Sequence, residues 1–213
     1  KKENYLAIKK NPSDYGNISI TPPWYAFNMA GMGLDGFVCH ASNVMKSKLP
    51  GDSYSLWVNL AALLYDRAFP SGFLHAKVYD ENDNLINEID QQFEMLVLGS
   101  SGNRIFGGGK NILPQDENLC IIDKLTPLTL ILRNNEVNDG RFVRTKLGKV
   151  YHARKVVFDY DKAAVIQLDG ETHLLVKECF PLTMQVTEPY IQILESDSQT
   201  CDRGAVRKDK ISK

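Results

Sequence analysis

Histidine and cysteine side chains are the first places to look for metal or nucleophilic chemistry in this chain. No two of the four histidines are spaced as H-x-H or H-E-x-x-H, so no zinc site is indicated. The four cysteines form no C-x-x-C pair and are too few for a disulfide framework, which favours free thiols in a reducing compartment. The sequence therefore predicts no metal site and no catalytic residue.

An enzyme would have to assemble its site from residues that are far apart in the sequence. Residues 51–55 (GDSYS) begin like the turn that carries a nucleophilic serine, but Ser55 stands where that turn needs a glycine. A histidine can still meet a cysteine or an acid in space. In that case His75, Asp80 and Cys39 are the residues to consider.

Three glycines match the G-x-G-x-x-G spacing of dinucleotide-binding folds: Gly31, Gly33 and Gly36. That fingerprint needs a strand before it and a helix after it, within a parallel βαβ unit. Residues 37–41 (FVCHA) read as a strand instead. The sequence therefore predicts neither a nucleotide site nor a small-molecule cofactor here.

A second glycine-rich stretch spans residues 99–111 and contains the run GGGK at 107–110. A P-loop needs a glycine six residues before the lysine and Ser or Thr after it, but those positions hold Arg104 and Asn111. Loops often carry binding residues. We therefore predict a contact surface for an anion or a partner, with Arg104 and Lys110 as its cations.

A proline motif precedes these glycines. Pro22, Pro23, Trp24 and Tyr25 have the form P-P-x-Y, which WW domains bind as an extended polyproline II peptide. The alternative is a rigid loop whose two aromatic side chains pack on the core. We predict that these four residues contact a partner.

The strongest helical pattern lies at residues 53–68. Trp57, Leu60, Ala61 and Leu64 follow the i, i+3, i+4, i+7 spacing of one helix face, and the pattern ends at Pro70. A pair of buried strands is the alternative for this apolar run. We predict a central helix buried on most of its surface, which serves as scaffold.

Most of the remaining chain alternates short apolar runs with turn residues, as antiparallel strands do. The predicted strands are 73–79, 85–89, 93–98, 119–122, 128–132, 155–160, 163–168, 172–177 and 186–194. Asp169 and Gly170 predict a two-residue type I′ hairpin, because that turn needs positive φ at both positions. We expect an α+β, β-dominated fold, an antiparallel sandwich or curled sheet packed on one long central helix. It would form a single domain at 1–195, followed by a polar, basic tail at 196–213.

The net charge of −1 is unevenly distributed. Residues 1–10 carry +3 and residues 196–213 carry +2, which leaves an acidic body. The basic ends could contact nucleic acid or an anionic membrane, or they could simply be solvated. Because no apolar stretch could span a bilayer and no secretory signal is visible, we expect an intracellular, cytoplasmic protein.

Residues 20–80 resemble the layout of rhabdovirus matrix proteins. Pro22, Pro23 and Tyr25 match the late-domain proline motif of that family. The predicted strand at 37–41, a return at 44–48, a Pro-Gly turn, the central helix and the sheet then follow in the same order. The acidic body and the short N-terminal arm depart from the family pattern.

We therefore expect a non-enzymatic structural or interaction protein with a viral matrix-like role. Its partners would be other proteins and further copies of itself in an oligomer, contacted through the proline motif, the glycine loop and the basic ends. Two alternatives remain: a ligand-binding β-sandwich module of a bacterial protein, or an enzyme with a spatially assembled site of His, Asp and Cys.

Overall fold

The computed structural model describes residues 2–3, 6–10, 24–46, 64–106, 109–187 and 191–192. The strands in chain order are β1 (Lys2–Glu3), β2 (Leu6–Lys10), β3 (Trp24–Ala26), β4 (Met29–Gly33), β5 (Phe73–Tyr79), β6 (Leu85–Gly99), β7 (Arg104–Phe106), β8 (Lys110–Leu113), β9 (Leu119–Asp123), β10 (Gly148–Tyr151), β11 (Lys155–Tyr160), β12 (Ala164–Leu168), β13 (Glu171–Leu175), β14 (Leu182–Val186) and β15 (Ile191–Gln192). The helices are α1 (Leu34–Lys46), α2 (Pro127–Asn138) and α3 (Phe142–Thr145), with a helical turn at 64–68 and a 3-10 turn at Lys177–Cys179.

One antiparallel sheet of eleven strands dominates the molecule. Its order is β13-β12-β4-β6-β5-β11-β14-β2-β3, with β9 beside β6 and β10 beside β9. The sheet curls so far that side chains of its two edge strands, β3 and β13, touch. Trp24 of β3 stacks on His173 of β13 with 4.5 Å between the ring centroids. The predicted fold class, a β-dominated α+β protein with a curled antiparallel sheet, is confirmed.

Both faces of the sheet are buried around its middle. Along β6, Phe93, Leu96 and Leu98 face the core inside the curl. Met95 and Val97 face a second apolar cluster under α1, α2 and the β7–β8 hairpin. A strand that is covered on both faces reads as a continuous apolar run, which explains the sequence MLVL at 95–98. The helices and the hairpin thus form an outer layer on one side of the sheet.

The predicted central helix at 53–68 is only partly covered by the described residues. Residues 64–68 are helical, whereas 53–63 lie outside the described part of the chain. Tyr65 of this helical turn is buried and packs against Phe37 and Phe69. A single long central helix is therefore not shown.

Helix α1 replaces the strand predicted at 37–41 and the first part of the return predicted at 44–48, so both predictions are wrong. Leu34, Val38 and Ala41 lie on the same helix face and pack in the outer apolar cluster. Gly36 brings α1 against β12, because a β-carbon there would overlap the carbonyl oxygen of Val165. Residues 34–46 therefore lack the strand and the start of the return on which the resemblance to matrix proteins rested.

The glycine fingerprint lies at the junction of β4 and α1, with the strand before it and the helix after it. The strand predicted at 37–41 was therefore the wrong reason to reject a nucleotide site. The strand pairing argues against such a site for another reason. β4 runs antiparallel to both of its neighbours, β12 and β6, so the described residues form no parallel βαβ unit around the glycines.

Two further strand predictions are corrected. Residues 128–132 belong to α2, where Thr126 caps the helix by accepting a hydrogen bond from the amide of Thr129 at 3.2 Å and Pro127 occupies the first turn. The strands predicted at 85–89 and 93–98 form the single long strand β6. The predicted Asp169–Gly170 hairpin is confirmed, with φ of 49° and 99° joining β12 to β13.

Candidate functional site

A cleft runs beside α1, between the sheet and the outer layer. It consists of a larger pocket of about 340 Å³ and a smaller one of about 40 Å³. The two pockets share four wall residues: Asp35, Val38, Lys110 and Ile112. Asn43, Gln167 and Asp169 line the larger pocket together with apolar side chains such as Phe106. The smaller pocket is lined mainly by apolar side chains such as Leu34, Met95 and Leu130, together with Asn134 and Asn138. The larger pocket is thus the more polar of the two, and Asp35 lies in the wall that they share.

The position of Asp35 follows from the strand–helix junction. It is the second residue of α1, and its carboxyl turns back over β4. Gly31 of β4 makes room for it, since a β-carbon at residue 31 would overlap Oδ2 of Asp35. The glycine that resembled part of a nucleotide fingerprint thus allows a carboxyl group to approach the backbone.

A fixed amide holds this carboxyl. Nε2 of Gln167 donates to Oδ2 of Asp35 at 2.8 Å, and Oε1 of Gln167 accepts from the amide of Gly170 at 2.9 Å. Burial raises the pKa of Asp35 above its ordinary value, while the Gln167 hydrogen bond and the positive charge of Lys110 oppose that rise. Asp35 therefore holds a proton more tightly than an exposed aspartate does.

The Asp169–Gly170 turn joins three segments around the larger pocket. The Asp169 carboxylate accepts hydrogen bonds from the amides of residues 27–29, including that of Met29 at 2.9 Å. The carbonyl oxygen of Gly170 accepts from Asn43 at 2.8 Å and from the Cys39 thiol at 3.2 Å. A two-residue turn that local sequence specifies thus anchors α1 and the start of β4.

The residues predicted to contact partners lie in different surroundings. Pro22 and Pro23 lie outside the described residues. Trp24 is half-buried against His173, and Tyr25 is 50% exposed in β3.

The two predicted cations share the β7–β8 hairpin but have different roles. Arg104 donates to Ser101 and, at 2.8 Å, to Oδ1 of Asn28, which anchors the hairpin to the segment before β4. Lys110 lines both pockets of the cleft beside Asp35. Of the predicted contact residues, Lys110 is thus the one that faces Asp35.

The enzyme residues considered from sequence are not brought together. His75 pairs with Asp90 at 3.2 Å across β5 and β6 and lines a separate groove. The Asp80 carboxylate accepts from the amides of Asn82 and Asn84 and stabilises a hairpin turn. Of these three residues, Cys39 is the one that lines the cleft beside α1.

Sequence reasoning missed Asp35, Gln167 and Asp169 as site residues. Part of the signal for Asp35 was present, because Leu34, Val38 and Ala41 have helical spacing and place Asp35 in the first turn of a helix. Gln167 carried no comparable signal, since it lies inside an apolar strand 132 positions away from its partner.

We expect Asp35→Asn to raise the free energy of unfolding at pH 7 by about 1 kcal/mol. Because the folded-state pKa of Asp35 is raised, its stabilising contribution is complete below the ordinary value of 3.8 and is lost as the pH rises through the folded pKa. A neutral amide keeps the acceptor for Gln167 without this loss. Urea unfolding at pH 7 and pH 4 measures the difference, which should shrink towards pH 4.

Asp90→Asn is the matched control, because the Asp90 side chain is 69% exposed. We expect it to change stability by less than about 0.5 kcal/mol. An equal effect of Asp35→Asn at both pH values would contradict the buried-carboxyl account.

Among the residues that the structure describes, no group of three or more His, Cys, Asp or Glu is placed to hold a metal ion. In the same part of the chain, no helix has the length and apolarity needed to cross a bilayer.

No family model matches this chain, and no curated protein matches it. Three solved structures from Bacillus anthracis, one titled a diacylglycerol kinase and two titled a putative diacylglycerol kinase, are similar in fold, with TM-scores of 0.44, 0.49 and 0.46 and sequence identities of 8%, 12% and 12%. Each similarity covers 89% of this chain but 52%, 55% and 56% of the other chain. This chain thus spans just over half the length of these structures, and the likeness concerns the backbone alone.

These findings correct the functional expectation. The similar structures are bacterial proteins named as kinases, and none of the three is a viral matrix protein, so the prediction of a viral, matrix-like structural protein is wrong. The prediction that the chain is not an enzyme is contradicted by the same structures. The alternative of an enzyme with a spatially assembled site agrees better with them.

Proposed function

We propose that this chain is part of an enzyme that binds an amphiphilic molecule in the cleft beside α1 and exchanges a proton with it through Asp35. The observation that carries the proposal is the place of the Asp35 carboxyl, in the wall shared by a more polar and a more apolar pocket. Clefts that combine apolar walls with a few convergent polar groups are the usual form of small-molecule sites.

The surroundings of Asp35 suit proton exchange with a hydroxyl group. A carboxyl is a better general base near neutral pH when its pKa is raised, and burial raises the pKa of Asp35. Lys110 lines both pockets and supplies a positive charge for any anion that forms or binds there. With ATP as the second substrate, Asp35 would take the proton of a hydroxyl whose oxygen forms a bond to the γ-phosphorus, while the bond from that phosphorus to the β–γ bridging oxygen breaks and ADP leaves.

The two ends of the cleft argue for an amphiphile. A hydroxyl-bearing head group would lie among Asn43, Gln167 and Asp169. Because the smaller pocket measures about 40 Å³, only the first carbons of an apolar chain would enter it towards Leu130 and Met95, and the rest of the chain would extend beyond it. Because the names of the similar structures specify a diacylglycerol kinase, diacylglycerol with ATP is the first substrate pair to assay.

We expect the chain to bind 1-monooctanoylglycerol, below its critical micelle concentration, with chemical-shift changes in α1 and β8. Asp35→Ala should weaken this binding about tenfold, the usual effect of losing one hydrogen bond to an ionisable group. Two-dimensional amide NMR titrations of the wild-type and variant chains measure both quantities.

Asp90→Asn serves again as the control and should bind the probe as the wild type does. Shifts confined to the groove around His75, or equal binding by the Asp35→Ala chain, would contradict the proposal. Turnover of diacylglycerol and ATP that is lost in Asp35→Asn would identify the reaction as phosphoryl transfer.

A further inference from the structure

The amide of Gln167 has one possible orientation in this structure. Its Oε1 is the acceptor for the backbone amide of Gly170 at 2.9 Å, so its Nε2 must face Asp35. A backbone amide can only donate, which excludes the flipped side chain. Gln167 is 4% exposed and is the second-last residue of β12, so both of its hydrogen bonds are buried.

This orientation distinguishes the two oxygens of the Asp35 carboxyl. Oδ2 receives the N–H of Gln167. In a protonated carboxyl the carbonyl oxygen is a stronger acceptor than the hydroxyl oxygen, so this hydrogen bond favours a proton on Oδ1 over one on Oδ2. Among the residues that the structure describes, Oδ1 receives no hydrogen bond, and Asp35 lines both pockets. We propose that Gln167 is a positioning residue that directs the exchangeable proton of Asp35 to Oδ1, where a ligand in the cleft can reach it. This inference rests on the proposed function of Asp35.

Several groups besides Gln167 act on the same carboxyl. Lys110 of β8 supplies a positive charge, and the buried thiol of Cys120 in β9 lies close enough for Asp35 to raise the pKa of that thiol further. Cys39 of α1 and Asp169 line the larger pocket with it. None of these replaces the directed N–H donor, because hydrogen bonding to the charged form is the specific contribution of Gln167.

The test is a carbon-13 NMR titration of the Asp35 side-chain carboxyl in the full chain without ligand. Gln167→Met keeps the length of the side chain but removes the donor. We expect the titration midpoint of Asp35 to rise by about one pH unit, because the ionised form loses a hydrogen bond. Gln167→Glu keeps the shape as well, and should give two coupled carboxyl titrations because the pair shares a proton.

Asn43→Ala separates this effect from a distortion of the turn. Asn43 donates to the carbonyl oxygen of Gly170, whereas Gln167 accepts from the amide of Gly170. Asn43 makes no hydrogen bond to Asp35 among the described contacts, so the titration midpoint of Asp35 should stay at its wild-type value. An unchanged midpoint in both Gln167 variants, or an equal rise in Asn43→Ala, overturns the inference. If the Gln167→Met chain does not fold, the Gln167→Glu titration decides the question.

The outcome is distinguishable from failure of the proposed function. If the Gln167 variants leave Asp35 unchanged while Asp35→Ala still weakens octanoylglycerol binding, the inference fails and the proposed function stands. If Gln167 shifts the Asp35 midpoint but Asp35→Ala binds octanoylglycerol normally, the proposed function fails although the hydrogen-bond link exists.

Discussion

Replacing Lys124 with methionine is expected to lower the free energy of unfolding at pH 7 by about 3 kcal/mol. Lys124 follows β9 and forms ion pairs with Glu94 of β6, at 2.8 Å, and with Asp66 of the helical turn at 64–68. Glu94 is 1% exposed. Without Lys124 the folded chain must hold a buried carboxylate that has lost its charged partner.

The loss should depend on pH with a defined sign. Burial already raises the pKa of Glu94, although the hydrogen bond and charge of Lys124 oppose the rise. Removing Lys124 raises the pKa of Glu94 further, so the variant becomes less stable as the pH rises above the ordinary value of 4.5. Urea unfolding at pH 5 should therefore show a smaller deficit than at pH 7.

Two further chains make the Lys124 experiment specific. Adding Glu94→Gln to the Lys124→Met chain removes the stranded charge and should recover more than half of the lost stability. Lys77→Met breaks the pair with Glu88 at 3.4 Å, whose side chains are 57% and 60% exposed, and should change stability by about 0.5 kcal/mol. Equal losses in Lys124→Met and Lys77→Met would refute a buried ion network.

Gly33→Ala is expected to destabilise the protein by about 3 kcal/mol, in addition to displacing the start of α1. Gly33 ends β4 with φ of 85°, a conformation that residues with a β-carbon rarely adopt. A β-carbon would also lie 2.6 Å from the carbonyl oxygen of Glu94. Backbone strain and overlap with a neighbouring strand therefore add together, and thermal unfolding measures their sum.

Gly109→Ala separates the two contributions. Gly109 has a similar φ of 76°, but a β-carbon there would meet no atom of the described residues within 4 Å. We expect it to cost about 1 kcal/mol, the strain alone. Similar losses at both glycines would mean that the β4–β6 contact at Gly33 adds nothing.

Local signals in the sequence determined several parts of this structure. Asp169 and Gly170 specify their hairpin, because a two-residue type I′ turn needs residues that accept positive φ at both positions. The alternation of apolar runs with turns determined the antiparallel, β-dominated class. Thr126 and Pro127 also marked the start of α2, but the apolar run after them suits a strand equally well.

Helix α1 shows where local reading failed. Leu34, Val38 and Ala41 have helical spacing, yet the short apolar stretch 37–41 also suits a strand. Contacts with the sheet decide between a helix and a strand at these residues. Gly36 lets α1 approach β12, and the apolar face of α1 is then buried in the outer cluster.

The candidate site is the part that only the tertiary structure decided. Gln167 and Asp35 are 132 positions apart, and the pairing of β4 with β12 brings them within 2.8 Å. In the β7–β8 hairpin, Lys110 lines the cleft whereas Arg104 donates a hydrogen bond to Asn28, although nothing in the sequence distinguishes the two cations. A sequence specifies strands and turns through neighbours along the chain, whereas the direction and burial of a polar side chain depend on which distant strands the sheet places beside it.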